Sequence, residues 1–448
     1  EKARLFVASN EQRLPIVIPK LWTTSSLWAL DRAVLVGSSA LVQIVLARQL
    51  GPEKFGALSY LLAMITLLLP FARMGLSGLL VKAILEKPFE ESRLLGAAMA
   101  WRLIGVIASM LVAMTQFPLG VAVLIGLSLL GAALQLAEYS AQARLVPTAV
   151  VPPRLAITLL AAIGKIYAGS LIGTAEAVAW IFAAEYLAQG VVQWLTYRYY
   201  RGKSLRPTLD TAWSAHFATR APWLLASGFA EMIYLRIDIV MLERLRGPAE
   251  AGMYATAARL SEAWYAVPQL IMVALFPALW KLREQHARWR DGVQATADAL
   301  FWIAFGVAFV MQFLAQPLVM VLFGAEYREA APILALHIWA GLFVFMRALV
   351  SRWLIAEDLI RLSLWSHGAG ALTNVLLNLW WIPIYGATGA AWATVISYGV
   401  AGWLAFYLPV ETRGLARQMA AAMLLPLNWR RLRDYRKRGW WAVLGSNQ

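Results

Sequence analysis

The sequence consists largely of apolar runs separated by short polar stretches. A helix needs roughly 20 apolar residues to cross the hydrocarbon core of a bilayer, and runs of about that length follow one another along most of the chain. Because helices satisfy their backbone hydrogen bonds internally, this pattern predicts an all-α integral membrane protein. The twelve predicted spans are Leu27–Leu46, Phe55–Leu80, Leu94–Met114, Leu119–Ala141, Leu155–Ile172, Ala177–Tyr197, Leu224–Leu242, Met253–Leu279, Ala295–Leu314, Ile333–Leu354, Leu362–Ile382 and Ala387–Tyr407.

The composition agrees with this interpretation and excludes several functions. Of the 448 residues, 60% are hydrophobic and 15% are charged, whereas globular proteins average roughly 45–50% and about 25%. The chain has no cysteine and four scattered histidines, so we predict no metal site and no cofactor. The longest predicted loop, 198–223, contains no constellation of residues typical of a catalytic site, and no enzyme activity is expected.

The net charge of +15 is unevenly distributed along the chain. Most lysines and arginines lie in the terminal segments and in the loops after even-numbered spans, and the positive-inside bias therefore predicts cytoplasmic termini. The polar beginning of the chain does not fit a signal peptide, so we expect the first span to be retained. The polybasic segment 428–438 either contacts anionic lipid or only enforces the topology. It predicts no nucleic-acid partner, because no recognition motif accompanies it.

An internal repeat divides the chain into two halves. The pattern R-x-x-G-P-x-x-x-G occurs at 48–56 and at 244–252, each time between the first and second span of a six-helix half. The alternative is a Gly-Pro turn that recurs by chance. Because six is an even number, the halves share one orientation, which predicts two lobes related by an axis along the membrane normal. The predicted units are a lobe over 1–205, a lobe over 206–410 and a basic cytoplasmic tail over 411–448.

Helix breakers occur at equivalent places in the two halves. Pro70, Gly75 and Gly78 fall in the second span, and Pro268 and Pro277 fall in the eighth. The carbonyls that such breaks release need a partner from a neighbouring helix or a hydrated cavity. The breakers therefore predict bent helices beside a cavity.

Fourteen ionisable side chains lie within the predicted spans. Facing lipid, they would cost on the order of 40 kcal/mol at ~2.5–3.5 kcal/mol each, so they must face a cavity or one another. Arg73, Glu138, Asp298 and Arg347 lie near span ends and are expected to reach the interface. Arg259 and Glu262, three residues apart, can pair within one helix. Arg236 and Asp238 point in different directions and need separate partners.

The remaining charges are the candidates for function. Structural ion pairing is one explanation, but so many arginines in a two-lobed bundle favour a hydrated anion-binding cavity, because a guanidinium binds phosphate oxygens bidentately. Asn374 and Asn378 share a helix face and either bind sugar hydroxyls or bridge helices. The candidate substrate-binding residues are Arg32, Lys165, Arg236, Arg259, Asn374 and Asn378. The candidate coupling or charge-pairing residues are Asp31, Glu185, Glu231, Asp238 and Glu262.

Several segments resemble one known family. They are IVLARQLGP at 44–52, YLRIDIVML at 234–242, GMYATAARLSE at 252–262, NVLLN at 374–378 and IPIYGATGAA at 382–391. From about Trp22 to Tyr407 the chain resembles the polysaccharide transporter family, that is, the Wzx-type O-antigen flippases of the multidrug/oligosaccharidyl-lipid/polysaccharide exporter superfamily. One segment departs from the family pattern, because EYSAQ at 138–142 replaces an aromatic W-F-F-Q-G-type sequence.

The resemblance implies a V-shaped, MATE-like bundle in the bacterial inner membrane. It also implies transport of undecaprenyl-pyrophosphate-linked oligosaccharides from the cytoplasmic to the periplasmic leaflet, for O-antigen or exopolysaccharide synthesis. Arg32, Arg236 and Arg259 would then bind pyrophosphate or anionic sugars, and Asp31, Asp238, Glu231 and Glu262 would position them or couple ions. The implied partners are the lipid-linked oligosaccharide, membrane lipids, a polysaccharide polymerase and a chain-length regulator. The competing interpretation is a cation-coupled multidrug exporter, whose pocket would be acidic and aromatic.

Overall fold

The computed structural model describes residues 18–144, 146–201, 206–359 and 361–438, and within these ranges all regular structure is helical. The chain before residue 18, on which the signal-peptide prediction rests, and the end of the tail after residue 438 lie outside the described residues. The helices are α1 Ile18–Arg73, α2 Ser77–Glu86, α3 Glu91–Gln116, α4 Leu119–Leu134, α5 Ala137–Ala143, α6 Val151–Leu171, α7 Ala175–Arg201, α8 Thr211–Arg246, α9 Pro248–Trp264, α10 Ala266–Lys281, α11 His286–Leu322, α12 Ala330–His337, α13 Ala340–Ala356, α14 Arg361–Gly402, α15 Arg413–Met423 and α16 Trp429–Arg438.

The predicted spans agree with these helices. Eight helical stretches of the described chain are long and apolar enough to cross a membrane. Two of them contain a glycine with non-helical torsions, Gly51 in α1 and Gly386 in α14, and therefore hold two predicted spans each. The other two predicted spans lie in α7 and α8, whose charged residues lower their hydropathy. The prediction of a twelve-span all-α membrane bundle is confirmed.

The helix breaks lie partly where the sequence predicts them. The second span breaks at Met74 and Gly75, which have φ values of 52° and 63°, and the eighth breaks between α9 and α10. The predicted fourth span is also broken, between α4 and α5, although it contains no proline. There Arg102 of α3, which is fully buried, donates to the carbonyl of Ala133 at 3.3 Å and binds the hydroxyl of Tyr139 at 3.0 Å. A buried guanidinium thus replaces the helical hydrogen bonds that are lost.

The predicted tenth span is divided as well, into α12 and α13. The first helix is longer than predicted, since α1 begins at Ile18 rather than near Leu27. Polar residues at this end of the helix lie beyond the apolar run by which the span is recognised.

The two copies of the repeat pack directly against each other. A Cβ atom on Gly56 would lie 1.7 Å from the Pro248 carbonyl oxygen, and one on Gly252 would lie 2.1 Å from the Pro52 carbonyl oxygen. Only glycine permits this approach of α1 and α9. We call this crossing the motif contact, and the end of the bundle that holds it the motif end. The opposite end, which carries residues 87–90, 206–210 and α15–α16, is the tail end.

The arginines that begin the two copies reach across to the other half. Arg48 donates to the carbonyl of Val321, near the end of α11. Arg244 donates to Gln116 at the end of α3 (3.0 Å) and to the hydroxyl of Tyr60 (3.2 Å). Because α3 and α11 contain the third span of each half, these contacts are equivalent, and each satisfies polar groups at a helix C-terminus.

Candidate functional site

A cavity of about 660 Å³ lies in the first half of the bundle, lined by α1, α2, α6 and α7 and by the segment around the α4–α5 break. Arg32 and Arg73 lie on either side of the Gly51 kink, each about 30 Å from it along the helix by the 1.5 Å rise per residue. The cavity therefore lies toward the tail end. Its charged lining residues are Arg32, Arg73, Arg154, Lys165, Glu138 and Glu185.

Two of the cavity cations are neutralised by carboxylates. Arg154 lies between Asp31 and Glu138, with its Nε 3.2 Å from Asp31 Oδ1 and its Nη1 3.2 Å from Glu138 Oε2. Lys165 pairs with Glu185, and its ammonium lies 3.7 Å from the ring centroid of Phe182. These groups hold α1, α5, α6 and α7 together around the cavity.

The other two cavity cations have no such partner. Among the residues that the structure describes, neither Arg32 nor Arg73 forms an ion pair or a hydrogen bond, and Arg32 is exposed. Counting Asp31 behind Arg154, four cations stand against three carboxylates. The charged groups at the cavity therefore have a net charge of +1. The two guanidinium groups that form no ion pair present a planar donor fork that suits the oxygens of a phosphate or carboxylate.

The second half brings a third arginine toward this cavity. Glu262 accepts hydrogen bonds from both Nη atoms of Arg236, at 2.6 and 2.9 Å, so its ion pair is with Arg236 and not, as predicted, with Arg259 of the same helix. A bidentate partner on α8 is available and fits the carboxylate better than a neighbour three residues away. Arg259 is left with its Nε buried and unpaired. It lies near Tyr186 of α7, which lines the cavity, and its charge also acts on Glu262.

Asp238 forms a separate buried cluster, as its orientation relative to Arg236 predicts. The side chain is 1% exposed, and it accepts hydrogen bonds from Tyr254 (2.9 Å), Thr394 (2.9 Å), Asn374 (3.0 Å) and Asn378. All four donors are neutral. Both asparagines are fully buried, so the structure favours the bridging of α8 and α14 over contact with sugars. The Oδ1 atom of Asn378 has no hydrogen-bond partner in this part of the chain.

Three of the four residues expected at the membrane interface line the cavity or point into the bundle instead. Arg73 and Glu138 line the cavity, because the breaks at residues 74–75 and 135–136 place them on its wall. Arg347 points inward and donates to Ser363 (2.8 Å) and Ser366 (2.6 Å). Its charge also acts on Glu231, a predicted coupling residue for which the described structure contains no hydrogen bond. Asp298 is 2% exposed and pairs with the tail.

Arg154 is a cavity residue that the sequence pattern did not predict, because it lies one residue before the predicted fifth span. The helix begins at Val151, and Pro152 and Pro153 occupy its first turn. Proline is common in the first turn of a helix, so this pair could have placed Arg154 inside α6. Of the predicted site residues, the cavity unites Arg32, Lys165 and Glu185, with Asp31 behind Arg154.

The described helices thus form a membrane bundle with buried charges and a cationic cavity between spans. Solved structures with the same fold include the lipid II flippase MurJ in an inward closed conformation (TM-score 0.62, 15% identity, 90% of this chain and 91% of that chain). Another is an inward-facing multidrug resistance MATE family transporter of the MOP superfamily (TM-score 0.61, 12% identity, 89% of this chain and 99% of that chain). A third is a mutant of the Vibrio cholerae MATE transporter VcmN (TM-score 0.55, 14% identity, 90% of this chain and 97% of that chain).

The chain belongs to the polysaccharide biosynthesis protein family, whose sequence pattern matches residues 45–332. No curated protein sequence matches the chain significantly. Family and fold together agree with the resemblance, because the chain belongs to a polysaccharide biosynthesis family and has the fold of MurJ and of the MATE transporters.

Proposed function

We propose that the protein is a flippase for lipid-linked oligosaccharides whose polyprenyl carrier, undecaprenol in bacteria, is joined to the sugar by a pyrophosphate. The observation that carries this proposal is the presence of two guanidinium groups that form no ion pair, Arg32 and Arg73, in a cavity of about 660 Å³ with a net positive charge. A pyrophosphate diester carries two negative charges, one on each phosphate, and two arginines that form no ion pair can each donate to one of these phosphates. An organic cation, the substrate of a multidrug exporter, would meet repulsion in the same place.

In this proposal the pyrophosphate binds between Arg32 and Arg73, the sugars occupy the cavity, and the polyprenyl chain remains in lipid. Arg259 of the second half supplies the next cationic position along the path toward the motif end. Arg154 and Lys165, already paired with carboxylates, shape the cavity wall. The positive-inside bias makes the tail end cytoplasmic, so the substrate enters from the inner leaflet of the bacterial inner membrane. O-antigen or exopolysaccharide synthesis would use the product.

Asp238 is the proposed coupling residue. A buried carboxylate with only neutral donors is costly to keep ionised, so binding of a proton or a small cation stabilises it. The unpaired Oδ1 of Asn378 provides a further oxygen beside it. Because the cluster connects α8 to α14, its occupancy can alter the packing of the second half and hence the position of Arg259.

The test is transport of a fluorescent polyprenyl-pyrophosphate oligosaccharide in proteoliposomes. We expect Arg32→Gln and Arg73→Gln each to lower the initial rate by about 10- to 100-fold, because a hydrogen bond to a charged group contributes about 1.5–3 kcal/mol. The matched control is Lys82→Gln, an exposed cation of α2 that pairs with Glu86. It should transport normally.

Correctly inserted Arg32→Gln and Arg73→Gln variants that flip the substrate at the wild-type rate would refute the assignment of the cavity. If the wild type transports an organic cation and no lipid-linked sugar, the multidrug exporter is the correct function instead. The coupling role is tested by the same transport assay in proteoliposomes with an imposed proton or sodium gradient. Asp238→Asn should remove the dependence of the transport rate on that gradient.

A further inference from the structure

The tail of the chain packs along one face of α11. Trp302 donates through its indole Nε1 to the Ala422 carbonyl at 3.0 Å. Gln294 donates to the Gln418 carbonyl at 3.0 Å, and Gln418 donates in turn to the Arg290 carbonyl at 2.7 Å. On α11 these residues stand at intervals of four or eight, so they share one side of the helix. The position of α15 is therefore set by a membrane-spanning helix.

The last helix, α16, is held on the same face by Asp298. Arg431 lies 3.0 Å from Asp298 Oδ1, and the hydroxyl of Tyr435 donates to Oδ2 at 2.7 Å. Burial and the neighbouring carboxylate raise the pKa of Tyr435, so the hydroxyl remains a donor. Removing either donor would leave a carboxylate that is 2% exposed with part of its hydrogen bonding lost.

Asp298 also fixes the depth of the tail in the bilayer. No charged residue occurs from Ala299 to Leu322, the remainder of α11. At 1.5 Å per residue this stretch is about 36 Å long, which covers the roughly 30 Å hydrocarbon core. Asp298 thus lies where the hydrocarbon ends, and α16, bound to it, lies at the level of the lipid headgroups.

The face of α16 opposite Asp298 is exposed and combines an aromatic side chain with basic ones. Trp429, Arg433 and Arg436 follow one another at intervals of four and three, so they form one stripe, roughly opposite to Arg431 and Tyr435. All three are exposed, Trp429 by 71%. The preceding turn adds two exposed leucines, Leu424 and Leu427.

We propose that α15 and α16 form a docking surface for anionic lipid headgroups. The chemistry is a phosphodiester bound by arginines, with tryptophan and leucine side chains inserted among the upper acyl carbons. The exposed arginines exceed the nearby carboxylates, since Glu411 and Asp434 are the only acidic residues of the sequence from 411 to 438. These arginines are Arg413, Arg417, Arg430, Arg433 and Arg436. A water-facing position would leave Trp429 and the two leucines without a partner.

The absence of native cysteine allows a single reporter in the full chain. We would introduce Leu427→Cys, attach an environment-sensitive fluorophore, and reconstitute the protein in nanodiscs of phosphatidylcholine alone or with added phosphatidylglycerol. The expected result is a blue shift that requires phosphatidylglycerol and is reversed by high salt, which shortens the Debye length. Each arginine removed should weaken the binding of α15 and α16 to the anionic bilayer surface about fivefold. Arg430→Gln/Arg433→Gln/Arg436→Gln should therefore weaken it by roughly a hundredfold and abolish the shift.

The matched control removes the same charge from the end of α10 and the start of α11, as Lys281→Gln/Arg288→Gln/Arg290→Gln, all exposed. These substitutions should leave the shift unchanged. The proposal is overturned if the emission is the same in both lipid compositions, or if the control triple variant loses the shift equally. Asp298→Asn should weaken the shift by releasing α16 while the arginines remain. A shift that appears only with added cytoplasmic protein would assign the surface to a protein partner and also overturn the proposal.

Discussion

At the scale of single residues, the arginines of the spans divide into those that have a carboxylate partner and those that do not. Arg154 and Arg236 are neutralised, at 10% and 17% side-chain exposure, and hold helices together. Arg32, Arg73 and Arg259 form no ion pair in the described structure and lie in or near the cavity, although the charge of Glu262 also acts on Arg259. The two groups predict different consequences when an arginine is lost. Replacement of a paired arginine should lower the stability of the protein, and replacement of an unpaired arginine should lower the rate of transport.

The pair of Arg236 and Glu262 tests the first consequence. Replacing Glu262 by Gln leaves two arginines, 236 and 259, without a counter-charge in a poorly solvated place, and we expect a loss of about 3–5 kcal/mol in the free energy of unfolding. Equilibrium unfolding in mixed micelles measures it. Arg236→Gln combined with Glu262→Gln should recover part of that loss, because no unpaired member remains.

The exposed pair of Lys82 and Glu86 provides the comparison. Its side chains are 69% and 62% exposed, so Glu86→Gln should change stability by less than about 1 kcal/mol. Equal losses for Glu262→Gln and Glu86→Gln would contradict the view that Arg236 and Glu262 form a structural pair.

At the scale of helices, the motif contact depends on two glycines that face each other's backbone. Gly56→Ala would bring a Cβ atom to 1.7 Å from the Pro248 carbonyl, so α1 and α9 must move apart. We expect a loss of about 1–3 kcal/mol, the usual cost of overpacking, measured as a lower midpoint of thermal unfolding in detergent.

Gly37 offers the matched position on the same helix. A Cβ atom there would meet nothing within 4 Å, and Gly37→Ala should be neutral or stabilise the helix by up to about 1 kcal/mol. A Gly56→Ala variant as stable as Gly37→Ala would mean that the halves do not require this close approach.

The spans and the repeat could be predicted because they depend on patterns local to the chain. Length and hydropathy identify a span, and Gly-Pro marks a turn wherever it occurs. The break between α4 and α5 could not be predicted in this way, because it depends on Arg102, which lies on another helix. The partner of Glu262 was missed for the same reason, because spacing along one helix says nothing about Arg236 on its neighbour. Arg32, Lys165 and Glu185 were predicted for the site, whereas the unpaired state of Arg32 and Arg73 needed the tertiary structure.

At the scale of the whole molecule, contacts between the halves at the motif end include the two equivalent arginines. Arg48 binds the end of α11, and Arg244 binds the end of α3. A transporter that opens alternately at its two ends must break these contacts once in each cycle. A covalent link between the two halves at this end should therefore stop transport.

Cross-linking tests this requirement. The chain has no cysteine, so Gln116→Cys with Arg244→Cys creates a unique pair across the halves, whose native side chains are 3.0 Å apart. Joined by a short, reducible bis-thiol reagent, the pair should stop transport, and reduction should restore it. The control pair Lys82→Cys with Glu86→Cys lies within α2 and should transport in both states. Normal transport while residues 116 and 244 are joined would show that the motif end does not open.

The position of the motif contact also determines how far the rest of the molecule moves. The crossing of Gly56 and Gly252 is a point at which backbones touch, and as long as the motif end stays closed, a rigid rotation of one half has its smallest displacement there. Arg32 and Arg73 lie about 30 Å away, close to the full thickness of the hydrocarbon core. By the geometry of a lever, a rotation of about 10° about the contact moves them by roughly 5 Å relative to the other half, about the pitch of one helical turn. A small change in angle at one membrane surface is thus converted into a displacement as wide as a sugar ring at the other.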